Sequence, residues 1–192
     1  MYVTKSNSYA RRSAQFALFE VAEILIRLIS PILVFTAEEI WQSHELFKKQ
    51  SVSIFMASQK ALSEIESSIS DEDWKKIFAV KDAVNQSIEK ARTDSVIKGS
   101  LDSKISIKCD KKTFKALQKI EDELKFVFIS SEVEIAESSS SGLDIEVTNF
   151  DQKKCIRCWN KCSSVGLYAE DPEICSRCYT NIYGDGEVRK FV

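Results

Sequence analysis

The sequence predicts a mainly α-helical protein with one small α+β unit and a cysteine-built tail. Three observations carry that reading. With 5 Gly and 2 Pro in 192 residues, the chain lacks the turn residues that a many-stranded sandwich or barrel needs. Apolar residues recur at three- and four-residue spacing over two long stretches, 9–29 and 71–92. Between residues 105 and 147 the period drops to two, and five of the 6 cysteines crowd into 155–178.

Residues 9–29 read as an amphipathic helix whose apolar face is Ala14, Ala17, Leu18, Val21, Ala22, Leu25 and Leu28. The stretch from Met1 to Ala10 shows no cap, and the helix needs a partner for that face. Ser30-Pro31 stops it and restarts a second helix, with Ser as cap and Pro in the first position. Thr36-Ala37-Glu38-Glu39 reads as a capping box ahead of Ile40, Trp41 and Leu46. Trp41 and Trp74, on apolar faces, are expected in the core, and His44 at the surface. Residues 50–70 are Ser-rich and read as a loop with short helical pieces. Asp71, Glu72 and Asp73 sit at the positive end of helix 71–92, which carries Trp74, Ile77, Phe78, Val84 and Ile88 on one face.

After Gly99, Ile105, Ile107 and Cys109 alternate with polar residues as a strand. A helix over 111–124 follows, through Phe114, Leu117, Ile120 and Leu124. Two further strands carry Val133 and Ile135, then Leu143, Ile145 and Val147, with a flexible Ser-rich loop from Glu137 to Gly142. Strand–helix–strand–strand is a small α+β unit. The expected division is 1–70, 71–150 and 151–192.

Composition bounds the function. Apolar residues at 44% and charged residues at 29% exclude wholesale disorder. Net charge is −2, made of +1 over 1–50, −4 over 51–150 and +1 over 151–192, which permits RNA binding without arguing for it. No stretch reaches the roughly 18 apolar residues of a membrane span, and the polar start is no secretory signal. A cytoplasmic, reducing compartment is expected.

The tail carries the sharpest chemistry. Cys155-x-x-Cys158 and Cys175-x-x-Cys178 are two tight turns, each able to aim two thiolates at one ion. Two such turns give four-thiolate coordination, which suits one structural Zn2+ with no open catalytic position. The loop between them holds Gly166 and Pro172 and too few apolar residues for its own core, so the ion folds it. Two disulfides or free buried cysteines are the bland alternative. Cys162 stands close enough in sequence to compete as a ligand, and Cys109 reads as a small apolar side chain on its strand.

Beyond the cysteines, Trp159, Val165-Gly166, Glu173-Ile174 and Gly184-Asp185-Gly186-Glu187 make residues 154–191 resemble the C-terminal zinc-binding module of bacterial-type isoleucyl-tRNA synthetases. Ala10-Arg11-Arg12-Ser13-Ala14-Gln15, with Pro31-Ile32-Leu33 and Phe35-Thr36-Ala37-Glu38-Glu39-Ile40-Trp41, resembles the helical anticodon-binding domain shared with the valyl and leucyl enzymes. Residues 72–136 resemble the junction region more loosely, best at Arg92-Thr93-Asp94 and Gly99-Ser100-Leu101. The class I catalytic motifs, H-x-G-H and K-M-S-K-S, are absent, as is the editing domain. The resemblance therefore implies a C-terminal fragment, with a partial helical anticodon-binding domain, an α+β junction and a zinc knuckle. It has no catalytic residue of its own.

What the resemblance implies is a monomeric protein that holds the anticodon stem-loop of tRNA(Ile) and joins the remainder of the synthetase chain. ATP would bind only in the whole enzyme, which attaches isoleucine to tRNA and edits mischarged valine. Candidate tRNA contacts are Arg11, Arg12, Arg157, Trp159, Arg177, Arg189 and Lys190. Each has a plainer alternative: Trp159 covers the sulfurs, Arg157 and Arg177 orient the turns, and Arg11 and Arg12 form a solvated helix face. A stand-alone zinc-knuckle adaptor for RNA or protein, and an enzyme with a catalytic zinc, are the competing readings.

Overall fold

The computed structural model describes residues 2–58, 60–61, 67–138 and 142–190. It divides into two compact units, one built on the first three helices and one on everything after residue 66, with Tyr2–Lys5 joining the second.

The first unit opens with α1 (Tyr9–Ile29), followed by α2 (Val34–Ser43) and α3 (Glu45–Lys48). Contrary to expectation, the stretch before α1 does supply a cap: the Ser8 hydroxyl accepts from the Arg11 N–H at 3.3 Å. The buried face of α1 is also not the predicted stripe. Glu20, Glu23 and Ile26 are buried, whereas Leu18, Val21, Leu25 and Leu28 are all more than half exposed. The reason is that α2 and α3 pack on the other side of the helix, where Ile26, Ala37, Trp41, Phe47 and Ile54 form the core. Trp41 is fully buried, stacks on Phe47 with ring centroids 5.1 Å apart, and donates from Nε1 to the Ser51 carbonyl at 3.0 Å. His44 is exposed, as expected.

Two predicted helix signals are used differently. Ser30 closes α1, with its hydroxyl donating to the Arg27 carbonyl at 2.9 Å, and Pro31 lies in the turn before α2. α2 begins at Val34, so Thr36 is already inside it and caps nothing. Glu38 instead accepts from the Ser53 hydroxyl at 2.8 Å and the Ile54 N–H at 3.0 Å, tying the next segment to α2. That segment contains the 3-10 turn Ile54–Met56, part of the expected loop with short helical pieces; residues 59 and 62–66 of that loop lie outside the described residues.

A buried acid organises the unit. Glu23 is fully buried and pairs with Arg27 at 2.8 Å and Lys60 at 2.8 Å; Lys60 also meets Glu20 at 2.5 Å. Burial opposes ionisation of Glu23, but donors from Lys60, Gln50 and Arg27 outweigh it and hold its carboxyl below the usual range.

The second unit begins with α4 (Asp71–Thr93), capped by the Ser70 hydroxyl, which accepts from the Asp73 N–H at 3.2 Å. Its three leading acids meet the positive helix end. Ile77, Val80, Val84, Ile88 and Ala91 are buried. Trp74 is only partly buried, and Phe78 is half exposed and stacks on it at the rim of the core, so the inward face is narrower than predicted.

Strand β1 (Ser103–Cys109) leads into α5 (Lys111–Gln118), a short α6 (Leu124–Val127), β2 (Glu132–Glu137) and β3 (Asp144–Asn149). The sheet order is β2–β1–β3, with β1 parallel to β2 and antiparallel to β3. A parallel neighbour needs a crossover, and α5 with α6 provides it. Ile105 pairs with Val133 and Val147, and Ile107 with Ile135 and Ile145, so the alternation read from the sequence becomes one apolar face. That face joins α4, Leu117, Ile120, Leu124 and Phe128 in a single core. Cys109 is buried there, and burial pushes its thiol up.

The helix expected over 111–124 stops at Gln118. Glu121, Asp122 and Glu123 follow, and acids oppose the negative end of a helix but suit the start of the next one. They form a 3-10 turn leading into α6. Residues 139–141 of the expected flexible loop lie outside the described residues.

Candidate metal centre

The last segment belongs to the second unit and ends in α7 (Ser176–Tyr183). Cys155, Cys158, Cys175 and Cys178 converge: their four sulfurs all lie within 4.8 Å of one another. Cys155 to Cys178 and Cys158 to Cys175 are each 3.7 Å apart, far beyond a disulfide bond. A tetrahedron of thiolates at about 2.3 Å from zinc has edges of roughly 3.8 Å, so the donor set fits that ion. Cys162 is outside this group; its sulfur lies 3.3 Å from the Ser164 hydroxyl.

Local backbone geometry builds the cluster. Cys155 N–H donates to the Asn160 carbonyl at 3.0 Å and Trp159 N–H to the Cys155 carbonyl at 2.9 Å, closing the first turn. The second turn is the start of α7, where the Cys175 N–H donates to the Cys155 sulfur at 3.3 Å. Cys155, Cys175 and Cys178 are buried with Val165 and Ile174, so the module's core is largely its own sulfurs.

The electrostatics fit a cation at the centre. Four sulfurs this close cannot all ionise without one, and the protons distribute unevenly. Donation from Cys175 and Cys178, with Arg177, holds the Cys158 thiol far below its usual range. Cys175 is pushed far up by its hydrogen bond to Cys158, and Cys178 is pushed up to about 11 mainly by the same thiolate. The two C-x-R-C arginines cross over: Arg177 of the second turn donates toward Cys158, and Arg157 of the first toward Cys178. Two guanidinium charges therefore face the sulfurs and offset part of their negative charge.

The other candidate residues are placed as follows. Arg157 Nη1 also donates to the Val3 carbonyl at 2.8 Å. Arg177 pairs with Glu187 at 3.5 Å; Arg189 pairs with Glu187 at 3.0 Å and Glu123 at 3.6 Å. Both arginines lie on Phe126, at 5.0 Å and 3.6 Å from its ring centroid. Lys190 pairs with Asp122, and its backbone N–H donates to Glu123 at 2.9 Å. Trp159 is 62% exposed and takes a left-handed backbone, φ +65°, which is costly for a bulky residue. In the first unit, Arg12 donates to Gln15 and Asn7 at 3.0 Å each, and Arg11 is partly buried.

Sequence reading missed Phe126, Glu123 and Glu187, the receptors for Arg177 and Arg189. Phe126 and Glu123 lie more than fifty residues before the arginines, beyond any periodicity, whereas Glu187 is only two residues from Arg189 and its proximity in sequence was the one available signal. The turn at Gly186 has φ +90°, where a Cβ would sit 3.1 Å from Lys5 Cβ and 3.3 Å from Asn181 Oδ1. It brings Glu187 back to α7, with its N–H donating to Asn181 Oδ1 at 2.9 Å.

Residues 1–107 match the family model described as the anticodon-binding domain of tRNA ligase. Residues 152–181 match a second one, described as a zinc finger found in FPG and IleRS. The isoleucine–tRNA ligase of Alcanivorax borkumensis is 39% identical over 99% of this chain and 22% of its own length. Those of Shewanella woodyi and Photorhabdus laumondii are each 37% identical over 99% of the chain, covering 21% and 22% of their lengths. The chain thus spans about a fifth of the length of the curated relatives it matches.

Proposed function

The chain belongs to the family of tRNA-ligase anticodon-binding domains, and from that premise we propose that it is the tRNA-recognition part of an isoleucine–tRNA ligase. One observation carries the reading: the anticodon-domain match and the zinc-finger match lie in one chain that aligns almost end to end with isoleucine–tRNA ligases. One structural Zn2+ would sit between Cys155, Cys158, Cys175 and Cys178, cross-linking the two turns. The cytoplasm, where thiolates stay reduced, suits that site. No described helix is long and apolar enough to cross a membrane.

The partner is tRNA(Ile), held at its anticodon stem-loop. Trp159 offers an exposed stacking surface, and Arg11 and Arg12 offer charge on the first unit, while Arg157 is engaged by the Val3 carbonyl and the sulfurs. Arg177, Arg189 and Lys190 act in this reading by bracing the module, since each already has carboxylate partners. The exposed stripe Leu18, Val21, Leu25 and Leu28 supports further helices of the longer ligase packing there. Isoleucine activation with ATP, and editing, belong in this reading to the part of the ligase outside this chain; the monomeric state follows the same proposal.

Fluorescence anisotropy of the zinc-loaded chain with labelled tRNA(Ile), against a tRNA of different anticodon, tests it. Tighter binding of tRNA(Ile) is expected. Equal affinity for both would reject the recognition role.

A further inference from the structure

The structure sorts the seven Lys and Arg residues of 151–192 into two groups. Five are spent inside the chain. Arg157 serves Val3 and the sulfurs, Lys161 serves Asn149 at 3.0 Å and Asp102 at 3.7 Å, and Arg177, Arg189 and Lys190 serve Glu187, Glu123 and Asp122. A cation already hydrogen-bonded or ion-paired inside the chain gains less from a phosphate, because it must first give up that partner; the exposed Lys190–Asp122 pair is the weakest of these ties. Lys153 and Lys154 are different. Both are exposed, they are adjacent, and neither meets a carboxylate among the described residues.

Their placement is also specific. The Lys154 ammonium lies 5.9 Å from the centroid of the Trp159 ring, and Lys153 Nζ lies beside the Gly166 turn. Their backbone is held: Cys162 N–H donates to the Lys153 carbonyl at 3.1 Å, and Lys154 bridges to Lys161. A rigid segment therefore presents two uncompensated cations next to an exposed, strained tryptophan. Two of the three acids of the loop between the cysteine pairs are turned to other work, Glu170 and Asp171 accepting from the hydroxyls of Tyr179 and Tyr183. Aromatic face plus adjacent unpaired cations is the combination that binds single-stranded RNA, the ring taking a base and the cations its phosphates.

We propose that Lys153 and Lys154 are the phosphate contacts of the zinc module, flanking a base stacked on Trp159. The inference rests on the reading that this chain binds tRNA, and it assigns residues that neither motif nor spacing singled out.

The test is anisotropy of the zinc-loaded chain with a labelled anticodon stem-loop RNA of tRNA(Ile), titrated at salt from about 50 to 200 mM. Each phosphate contact in a single strand contributes about 0.7 to the log–log salt slope. Lys153→Gln/Lys154→Gln is expected to flatten that slope by about 1.4 and to weaken binding roughly tenfold at low salt. Its zinc content and melting temperature should match the parent. Trp159→Ala is expected to lose about tenfold in affinity with the slope unchanged. If the parent binds and the double lysine variant keeps the parent's slope, the assignment is overturned while the tRNA reading stands. If the parent does not bind the stem-loop, the tRNA reading falls and takes the assignment with it.

Discussion

Replacing Cys175 by Ser should unfold the tail and leave the rest of the chain folded. Sixteen residues separate Cys158 from Cys175, and ordering them costs at least about 1 kcal/mol each, some 16 kcal/mol. Val165 and Ile174 are the buried apolar residues of the module besides the cysteines, and together return about 4 kcal/mol. A four-thiolate zinc supplies roughly 10–16 kcal/mol, which is the size of the remainder. Losing one ligand of four removes about 3–4 kcal/mol of that, some hundredfold or more in metal affinity, from a module with almost nothing in reserve. The core under α4 and the sheet shares no residue with the sulfur cluster. Hydrogen exchange read by mass spectrometry, with zinc content measured alongside, follows both regions. Exchange should become fast across 154–183 and stay slow in α1, α4 and β1. Retained protection across α7, or collapse of α4 with it, would refute the reasoning.

Arg177→Gln should weaken zinc binding by about 10- to 100-fold in a chelator competition, because it removes a charge facing the sulfurs and a brace to Glu187; an unchanged affinity would make the arginine a bystander. Trp41→Ala should cost about 3–5 kcal/mol, speeding exchange in α1–α3 while α4 and the sheet hold, since it is one of five buried residues in the first unit's core among the described residues. Glu23 is held below its usual carboxylate range in the folded chain, so its contribution is present above pH about 4.5 and is lost as the pH falls through the lower, folded value. Thermal melts followed by helix signal should show that acid loss in the parent and a flatter profile in Glu23→Gln; identical profiles would remove Glu23 as the cause.

The two long helices, the α+β unit and the four clustered cysteines were legible because each depends on local spacing. A 3.6-residue period, a two-residue period and a C-x-x-C turn are set within a few residues of chain. Helix ends were read less well. Thr36 and Glu39 have the letters of a capping box, yet α2 already begins at Val34, and the neighbouring Glu38 reaches Ser53 and Ile54 in a tertiary tie no local pattern announces. The run Glu121-Asp122-Glu123 ended a helix that apolar spacing alone would have continued to Leu124.

Long-range pairing was decided only by the tertiary structure. Sequence alone singled out the two cysteine pairs whose sulfurs the fold brings within 4.8 Å of one another, since a C-x-x-C turn is set locally. It could not determine which face of α1 is inward, because apolar residues line two faces and only the position of α2 and α3 chooses between them. Nor could it tell a structural cation from a free one. Arg177 and Arg189 look as available as Lys153 and Lys154 until Phe126, Glu123 and Glu187 are brought beside them. A charge is defined by its neighbours in space, and those neighbours come from anywhere in the chain.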